Sequence, residues 1–487
     1  MTFHETRVAD ALTPVTAYAR LRAADPGGAS FLLESVVSGE RWGRYSIVGY
    51  RPRYEAILER AGWTLRGPAP PPAWRRPDAK DPLLAVSPLF EVRPELVDAP
   101  MHEHLAHAHF GFLAWDLVHL IDKVPPGDSR IWDAHAFPLA RFLGGVTVVV
   151  FDALAQTLTV CAHDAAGLDR ALRDLDVATP LAPLAMPVPD RTRVDEDASV
   201  DMSDAEYKAR VIRAQEYIAA GDAFQVVLAR TFSVPRRATD PFQVYRAMRL
   251  VNPSPYMYHF DLPPLRPGDE RTAISGASPE TLVRLQGETM RVRPIAGTRP
   301  RGRTPAEDAA LEAELLGDPK ERSEHIMLID LGRNDVGKVA RTGTVKLART
   351  MEVDRYSHVM HIVSEVTGTV AREVPRLDVV RAAFPAGTLS GAPKVRAMQI
   401  IRELEARPRN VYGGAIGYVA PNGDLDFAIA IRTAVCKDDR FDVTAGAGVV
   451  ESSIPESEAE ETRSKARGVL ASIRAAQTAP PRPSGAP

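Results

Sequence analysis

The chain has 487 residues, with 60 lysines and arginines against 63 aspartates and glutamates, a formal net charge of −3. With 45% hydrophobic and 25% charged residues it reads as a folded globular protein, and the near-balanced charge excludes a basic nucleic-acid surface. The N-terminal residues MTFHETRVADALTP lack the basic start and apolar stretch of a signal peptide. No apolar run reaches the ~18 residues of a membrane span. The two cysteines, Cys161 and Cys436, each sit beside valine in an apolar run, as core residues rather than a disulfide or metal pair. A soluble, cytoplasmic protein is therefore expected.

Residues 1–177 form a β-rich region. Leu32-Leu33-Glu34-Ser35 and Arg44-Tyr45-Ser46 each read as a strand edge or turn. Residues 67–77, GPAPPPAWRRP, make a proline-rich surface excursion. Arg141–Val150 is one β-branched run, and Thr157–Cys161 alternates like a strand. Residues 178–203 pass from proline-rich to acidic and read as a connector. The region 204–475 opens with a helix over Ser203–Gly221, with an N-cap serine, Glu206 in the capping-box place and a closing glycine. Strand-like runs follow at Gln225–Phe232, Met290–Pro294 and His358–Thr369. Residues 476–487 have too few apolar side chains to pack and are expected to form a disordered tail. Helices mixed with hairpin-connected strands, without regular βαβ alternation, predict an α+β fold.

Two distant segments share one acidic pattern. Glu321-x-x-Glu324 follows Asp318-Pro319, and Glu458-x-x-Glu461 follows Ser453-x-Pro455, both helix-start signals. Carboxylates at i and i+3 share a helix face. Each pair is either a solvated acidic face or half of a site for a hard cation; oxygen ligands without cysteine favour Mg²⁺. The glycine-rich segments Gly297-Thr298-Arg299, Gly387–Lys394, Gly413-Gly414 and Gly446-Ala447-Gly448 fit neither a phosphate loop nor a dinucleotide fingerprint. They are tight turns, or loops presenting backbone N–H groups to an anion. Arg432 ends an apolar run and pairs with a protein carboxylate or clamps a substrate carboxylate. His361 is a core histidine or a catalyst, and Glu280 a turn carboxylate or an acid.

Taken together, these segments resemble the chorismate-utilising enzymes. The match rests on Ser278-Pro279-Glu280, Pro294-Ile295-Ala296-Gly297-Thr298-Arg299, Asp318-Pro319-Lys320-Glu321-x-x-Glu324-His325, Gly387-Thr388-Leu389-Ser390-Gly391-Ala392-Pro393-Lys394 and Gly446 through Thr462, in this order. The resemblance covers nearly the whole chain. It implies a two-sheet β-sandwich core with helices packed outside. The implied branch converts chorismate and ammonia to anthranilate and pyruvate, the first step from chorismate toward tryptophan. It further implies Glu324 and Glu461 as Mg²⁺ ligands, backed by Glu321 and Glu458. Tyr412, Arg432 and Gly446, Ala447 and Gly448 would hold the enolpyruvyl carboxylate, with Gly297, Thr298, Thr388 and Lys465 as further substrate contacts. Glu280 would be the general acid, and His361 would act near the ring carboxylate.

Relatives that make aminodeoxychorismate carry a nucleophilic lysine where this chain has Ala296, and isochorismate or salicylate synthases carry a lysine base where it has Gln225. Both differences favour the anthranilate-forming branch, although Ala296 leaves open a chain that also releases aminodeoxychorismate by direct ammonia attack. The resemblance also implies a tryptophan feedback site built from Glu34, Ser35, Arg44, Tyr45, Ser46, Pro255, Tyr256 and Met257. A regulatory protein without catalysis would show a damaged acid or metal site; Glu280, Glu324, His361, Arg432 and Glu461 are all present. No segment has the nucleophilic-cysteine context of a glutaminase, so a separate glutamine amidotransferase subunit is implied, in a heterotetramer of two large and two small subunits. Ser464 and Glu451-Ser452 depart from the commoner family residues near Lys465.

Overall fold

The computed structural model describes residues 2–478 apart from 36–43, 73, 77–78, 127–136, 185–194, 196, 357–358 and 406. Among the described residues the strands form two large antiparallel sheets, of twelve and eleven strands. The fold is the expected α+β sandwich with helices outside. In the first sheet, strand Ser30–Glu34 from the N-terminal region pairs with Tyr256–Leu262. In the second, His109–Leu113 pairs with Ala415–Val419. The first 177 residues thus supply strands to both sheets, side by side with strands of the later region.

Period-two alternation turns one row of side chains from each sheet toward the other. Phe31 of the first sheet meets Phe110 of the second with ring centroids 4.4 Å apart, inside a core that also takes Phe112, Tyr258, Phe260 and Ile416. Such an aromatic pair adds about 1 kcal/mol beyond the burial of its area. The outer face of the first sheet is covered by helices that include Pro14–Ala24, Pro241–Val251 and Pro455–Gln477. Proline at the start of each loses no hydrogen bond there, because the first N–H groups of a helix have no partner inside it.

The helix expected after Ser203 spans Asp204–Ala219, closed by the Ser203–Glu206 capping box, with Gly221 at φ +83° beyond its end. Strand Gln225–Pro235 runs past Phe232. Thr289–Val292 stops short of Pro294. The strand at 359 begins at Val359, His358 lying outside the described residues. The run Arg141–Val150 is not one strand. Ala140–Gly144 belongs to the second sheet and Thr147–Asp152 to the first. The chain turns at Gly145, at φ +62°, a conformation in which a Cβ is costly. Gly144 lies so close under the Tyr54 ring that a Cβ would come within 2.4 Å of it.

Of the proline-rich excursion, residues 73 and 77 lie outside the described residues, as do 185–194 and 196 of the connector. The acidic end of the connector is tied to the last helix: buried Asp195 pairs with Arg463 at 3.2 Å and Arg467 at 3.3 Å. Ala476 and Gln477 belong to helix Pro455–Gln477, while 479–487 lie outside the described residues. Cys161 and Cys436 are free and buried. Among the described residues no helix is long and apolar enough to cross a membrane.

Candidate active site

Two short crossovers build the site. The chain leaves the first sheet at Ser278 and enters the second at Thr281; it leaves the second at Ile429 and re-enters the first at Thr433. The Ser278 hydroxyl exchanges 3.3 Å hydrogen bonds with the Glu280 backbone N–H and carbonyl, which fixes the turn after Pro279. The Ile429 N–H donates to the Glu280 carbonyl at 3.0 Å, locking the two crossovers together. Arg432 occupies the second one at φ +50°. Its guanidinium donates to the Lys465 carbonyl at 3.0 Å. A non-glycine residue held in that region is strained, a condition that persists only where its surroundings enforce it.

A cavity of about 330 Å³ and one of about 230 Å³ occupy the inter-sheet space on either side of these crossovers. The smaller is lined by Glu280, Thr298, His361, Thr388, Tyr412, Arg432, Gly446, Gly448 and Lys465. Gly297 and Ala447 are not in that lining: Ala447 is fully buried on the opposite pleat of its strand from Gly446 and Gly448. Gly297, at φ +66°, sends its carbonyl to the histidine of this wall.

Glu280 is the chemically distinctive member. Burial pushes its carboxyl up to about 7, against the Thr388 hydrogen bond and the positive charges of Lys465 and Arg293, which pull it down. Thr388 Oγ1 donates to Glu280 Oε1 at 3.0 Å. A carboxylic acid poised near neutral pH suits proton donation to a leaving group. His361 Nδ1 lies 2.9 Å from the Gly297 carbonyl, an acceptor, so this nitrogen carries the proton and Nε2 keeps its lone pair. Burial lowers the imidazole below its ordinary value and keeps it neutral. Arg432, Tyr412 and the strand at Gly446–Gly448 form one wall of this lining, with a guanidinium fork of the kind that matches a carboxylate. Lys465 Nζ bonds the Gly446 carbonyl at 3.0 Å and Glu461 at 2.6 Å.

Sequence reasoning missed the residues that support this wall. Buried Arg409 pairs with Glu405 at 2.6 Å and lies over the Trp115 and Tyr412 rings, 4.2 and 5.7 Å from their centroids. Val227, Leu389 and Ile431 supply apolar lining. A strand, a short helix and a crossover bring these three together, and no local pattern announces it. Lys394, at the end of the glycine-rich segment Gly387–Lys394, is buried against Asp335 at 2.8 Å and offers no charge to a ligand.

The acidic helices start as expected at one end. Asp318 caps helix Pro319–Gly337 through the N–H groups of Lys320 and Glu321. Helix Pro455–Gln477 starts after Ile454, without a side-chain cap. Glu321 lies 3.4 Å from Arg299, and Glu324 3.9 Å from Lys320. Burial raises the Glu324 carboxyl, and the charges of Glu321, Glu461 and Glu458 raise it further against Lys320. Glu458 is raised by burial and by Glu461, and its Oε2 is buried without a hydrogen-bond partner among the described residues. Among the described residues no three histidine, cysteine, aspartate or glutamate side chains converge as a ready metal cage.

The larger cavity brings together Glu34, Ser35, Arg44, Tyr45, Pro255, Tyr256 and Met257; Ser46, one pleat away from Tyr45, is outside the lining. The buried Glu34 carboxylate faces Tyr245, at 2.5 Å, and Arg249, at 3.0 Å. Arg44 pairs with Asp152 at 2.8 Å. The Ser35 hydroxyl is buried with no partner among the described residues.

This architecture and site are those of a chorismate-utilising enzyme. The sequence profile described as chorismate binding enzyme matches residues 75–471, and the chain belongs to that family. It is 43% identical over 494 residues to anthranilate synthase component 1 of Streptomyces coelicolor, covering 98% of this chain and 89% of the relative. It is 42% identical over 484 residues to the component 1 of Pseudomonas putida, covering 96% and 94%. Among solved structures it is similar to anthranilate synthase component I from Streptococcus pneumoniae, with a TM-score of 0.73, 33% identity and coverage of 96% and 99%. The menaquinone-specific isochorismate synthase from Escherichia coli shares the fold, with a TM-score of 0.69, 18% identity and coverage of 97% and 95%.

Proposed function

We propose that the protein is the large component of an anthranilate synthase, converting chorismate and ammonia to anthranilate, pyruvate and water. The observation that carries this reading is Glu280, an acid poised near pH 7, on one crossover of a cavity whose other crossover carries Arg432. Arg432, Tyr412 and the Gly446–Gly448 strand hold the enolpyruvyl carboxylate. Glu280 protonates the departing C4 hydroxyl, a poor leaving group as hydroxide, while ammonia adds at C2. His361, neutral with Nε2 free, stands near the ring carboxylate for the elimination. There the C2 proton is lost, the C3–O bond breaks, and the enolpyruvyl group takes a proton to leave as pyruvate. Aromatisation drives the step. Ala296 in the lining brings no amine that could replace ammonia as nucleophile.

The donor set of Glu324 and Glu461, backed by Glu321 and Glu458, fits Mg²⁺. What supports it is that burial and then neighbouring carboxylates raise Glu324 and Glu458, and that Glu458 Oε2 is buried without a partner among the described residues. An ion of this kind completes its shell with water and substrate. When bound, the ion would withdraw charge from the ring carboxylate. Glu324→Gln and Glu461→Gln are expected to raise the Mg²⁺ concentration needed for half-maximal rate; unchanged Mg²⁺ dependence in both would remove the assignment.

The larger cavity, with the unpartnered Ser35 hydroxyl, is proposed as a tryptophan feedback site. A separate glutaminase subunit, in a heterotetramer, is proposed as the source of ammonia from glutamine. Burial pushes the thiols of Cys161 and Cys436 up to about 11 and 12, far from the thiolate a glutaminase needs. The deciding experiment mixes purified chain, chorismate, Mg²⁺ and ammonium at alkaline pH, with and without tryptophan. Anthranilate and pyruvate, suppressed by tryptophan, are expected. Aminodeoxychorismate or isochorismate would overturn the branch; no turnover with tryptophan still bound would favour a purely regulatory protein.

A further inference from the structure

We propose that Tyr256 and Tyr258 couple the two cavities: each lines the larger with its ring, and each holds with its hydroxyl one of the crossovers that carry Glu280 and Arg432. This rests on reading the larger cavity as the tryptophan site. Both tyrosines lie on strand Tyr256–Leu262 of the first sheet, two residues apart and so on one face, the face turned toward the second sheet. The Tyr256 hydroxyl donates to Asp426 at 2.9 Å and lies 2.9 Å from the hydroxyl of Thr281, the residue next to Glu280. Asp426 is itself held by Arg284. The Tyr258 hydroxyl lies 2.6 Å from that of Thr433 and 3.5 Å from the Ile431 carbonyl, the residues on either side of Arg432.

The Tyr258 ring has no slack. A Cβ on Gly276, across the strand pair, would lie 2.2 Å from the Tyr258 ring, so that ring rests on bare backbone. A ligand that displaces either ring from within the cavity must move its hydroxyl. The hydroxyl then moves a crossover or releases it. The crossover with Arg432 already holds a strained backbone, which persists only while its surroundings enforce it. Linkage makes the effect reciprocal: a substrate whose carboxylate fixes Arg432 must weaken tryptophan binding by the factor with which tryptophan weakens substrate binding.

The test is the ratio of tryptophan dissociation constants with and without saturating chorismate, measured by calorimetry with Mg²⁺ present and ammonia withheld. In the unaltered protein the ratio is expected to be about 10 or more. In the double variant Thr281→Val, Thr433→Val, which deletes both crossover hydroxyls, it is expected to fall below about 2. Thr281→Ser, Thr433→Ser should restore it. Tyr258→Phe, which keeps the ring and loses the hydroxyl, provides a second variant and should at least halve it. A ratio undiminished in the valine and phenylalanine variants would overturn the coupling. A ratio near 1 in the unaltered protein would also overturn it, leaving the cavity assignment standing. Tryptophan failing to bind the unaltered protein would overturn the cavity assignment and the coupling together.

Discussion

The two cavities beside the crossovers differ more in chemistry than in size. The smaller has a raised acid, a neutral histidine and a strained arginine within one wall system. In the larger, the charged groups are already satisfied: Glu34 by Tyr245 and Arg249, Arg44 by Asp152, Arg284 by Asp426. A site whose charges are quenched by its own protein is suited to recognise shape and a few polar atoms. A site that keeps an acid poised near neutrality is suited to move a proton. The two linings have no residue in common, so a mutation in one should reach the other only through the crossovers between them.

The sharpest way to break that separation is Glu280→Gln. Turnover is expected to fall by about 10²–10⁴-fold, with chorismate and tryptophan binding within about twofold of the parent; a retained full rate would strip Glu280 of its role. Arg432→Lys keeps the charge but loses the fork that matches a carboxylate. It should raise KM for chorismate by about 10–100-fold, read against an unchanged tryptophan dissociation constant in the absence of substrate.

A subtler expectation concerns pH. Glu280 must be protonated to donate, so kcat/KM at fixed free ammonia should fall on the alkaline side as pH rises through about 7. The Thr388 hydroxyl stabilises the carboxylate form, so Thr388→Val should move that limb to higher pH. A limb that stays in place, or moves down, would show that another group controls it. The smallest effect is expected in the larger cavity: Ser35→Ala should weaken tryptophan inhibition by about 3–10-fold, the worth of one or so hydrogen bonds, while ammonia-dependent turnover stays nearly intact.

What was legible in the sequence was what local chemistry dictates. Ser203 and Glu206 announce a capping box, Asp318-Pro319 a helix start, and Glu280 is found because it stands in a contiguous segment. Pleat parity and sheet membership were not legible. Ala447 and Ser46 sit beside cavity-lining neighbours yet lie outside both linings, because successive strand residues point to opposite faces. The Arg141–Val150 run reads as strand-like throughout, and its glycines are where it bends from one sheet into the other. Tyr258 and Thr433 meet across 175 residues of chain, a contact no local pattern encodes.

The pairing of early strands with late ones also bears on how the protein is made. Strand His109–Leu113 waits for its partner Ala415–Val419, roughly 300 residues later, which at about 5–20 residues per second is about 15–60 s of synthesis. The residues that finish the larger cavity, through Ala428, and those that finish the smaller, from Ile431 to Lys465, leave the ribosome almost together. A chain cut between Ala428 and Lys465 has the lining of the larger cavity whole and that of the smaller unfinished. A product cut there keeps the larger cavity but lacks the last wall of the smaller, and is expected to be idle in turnover.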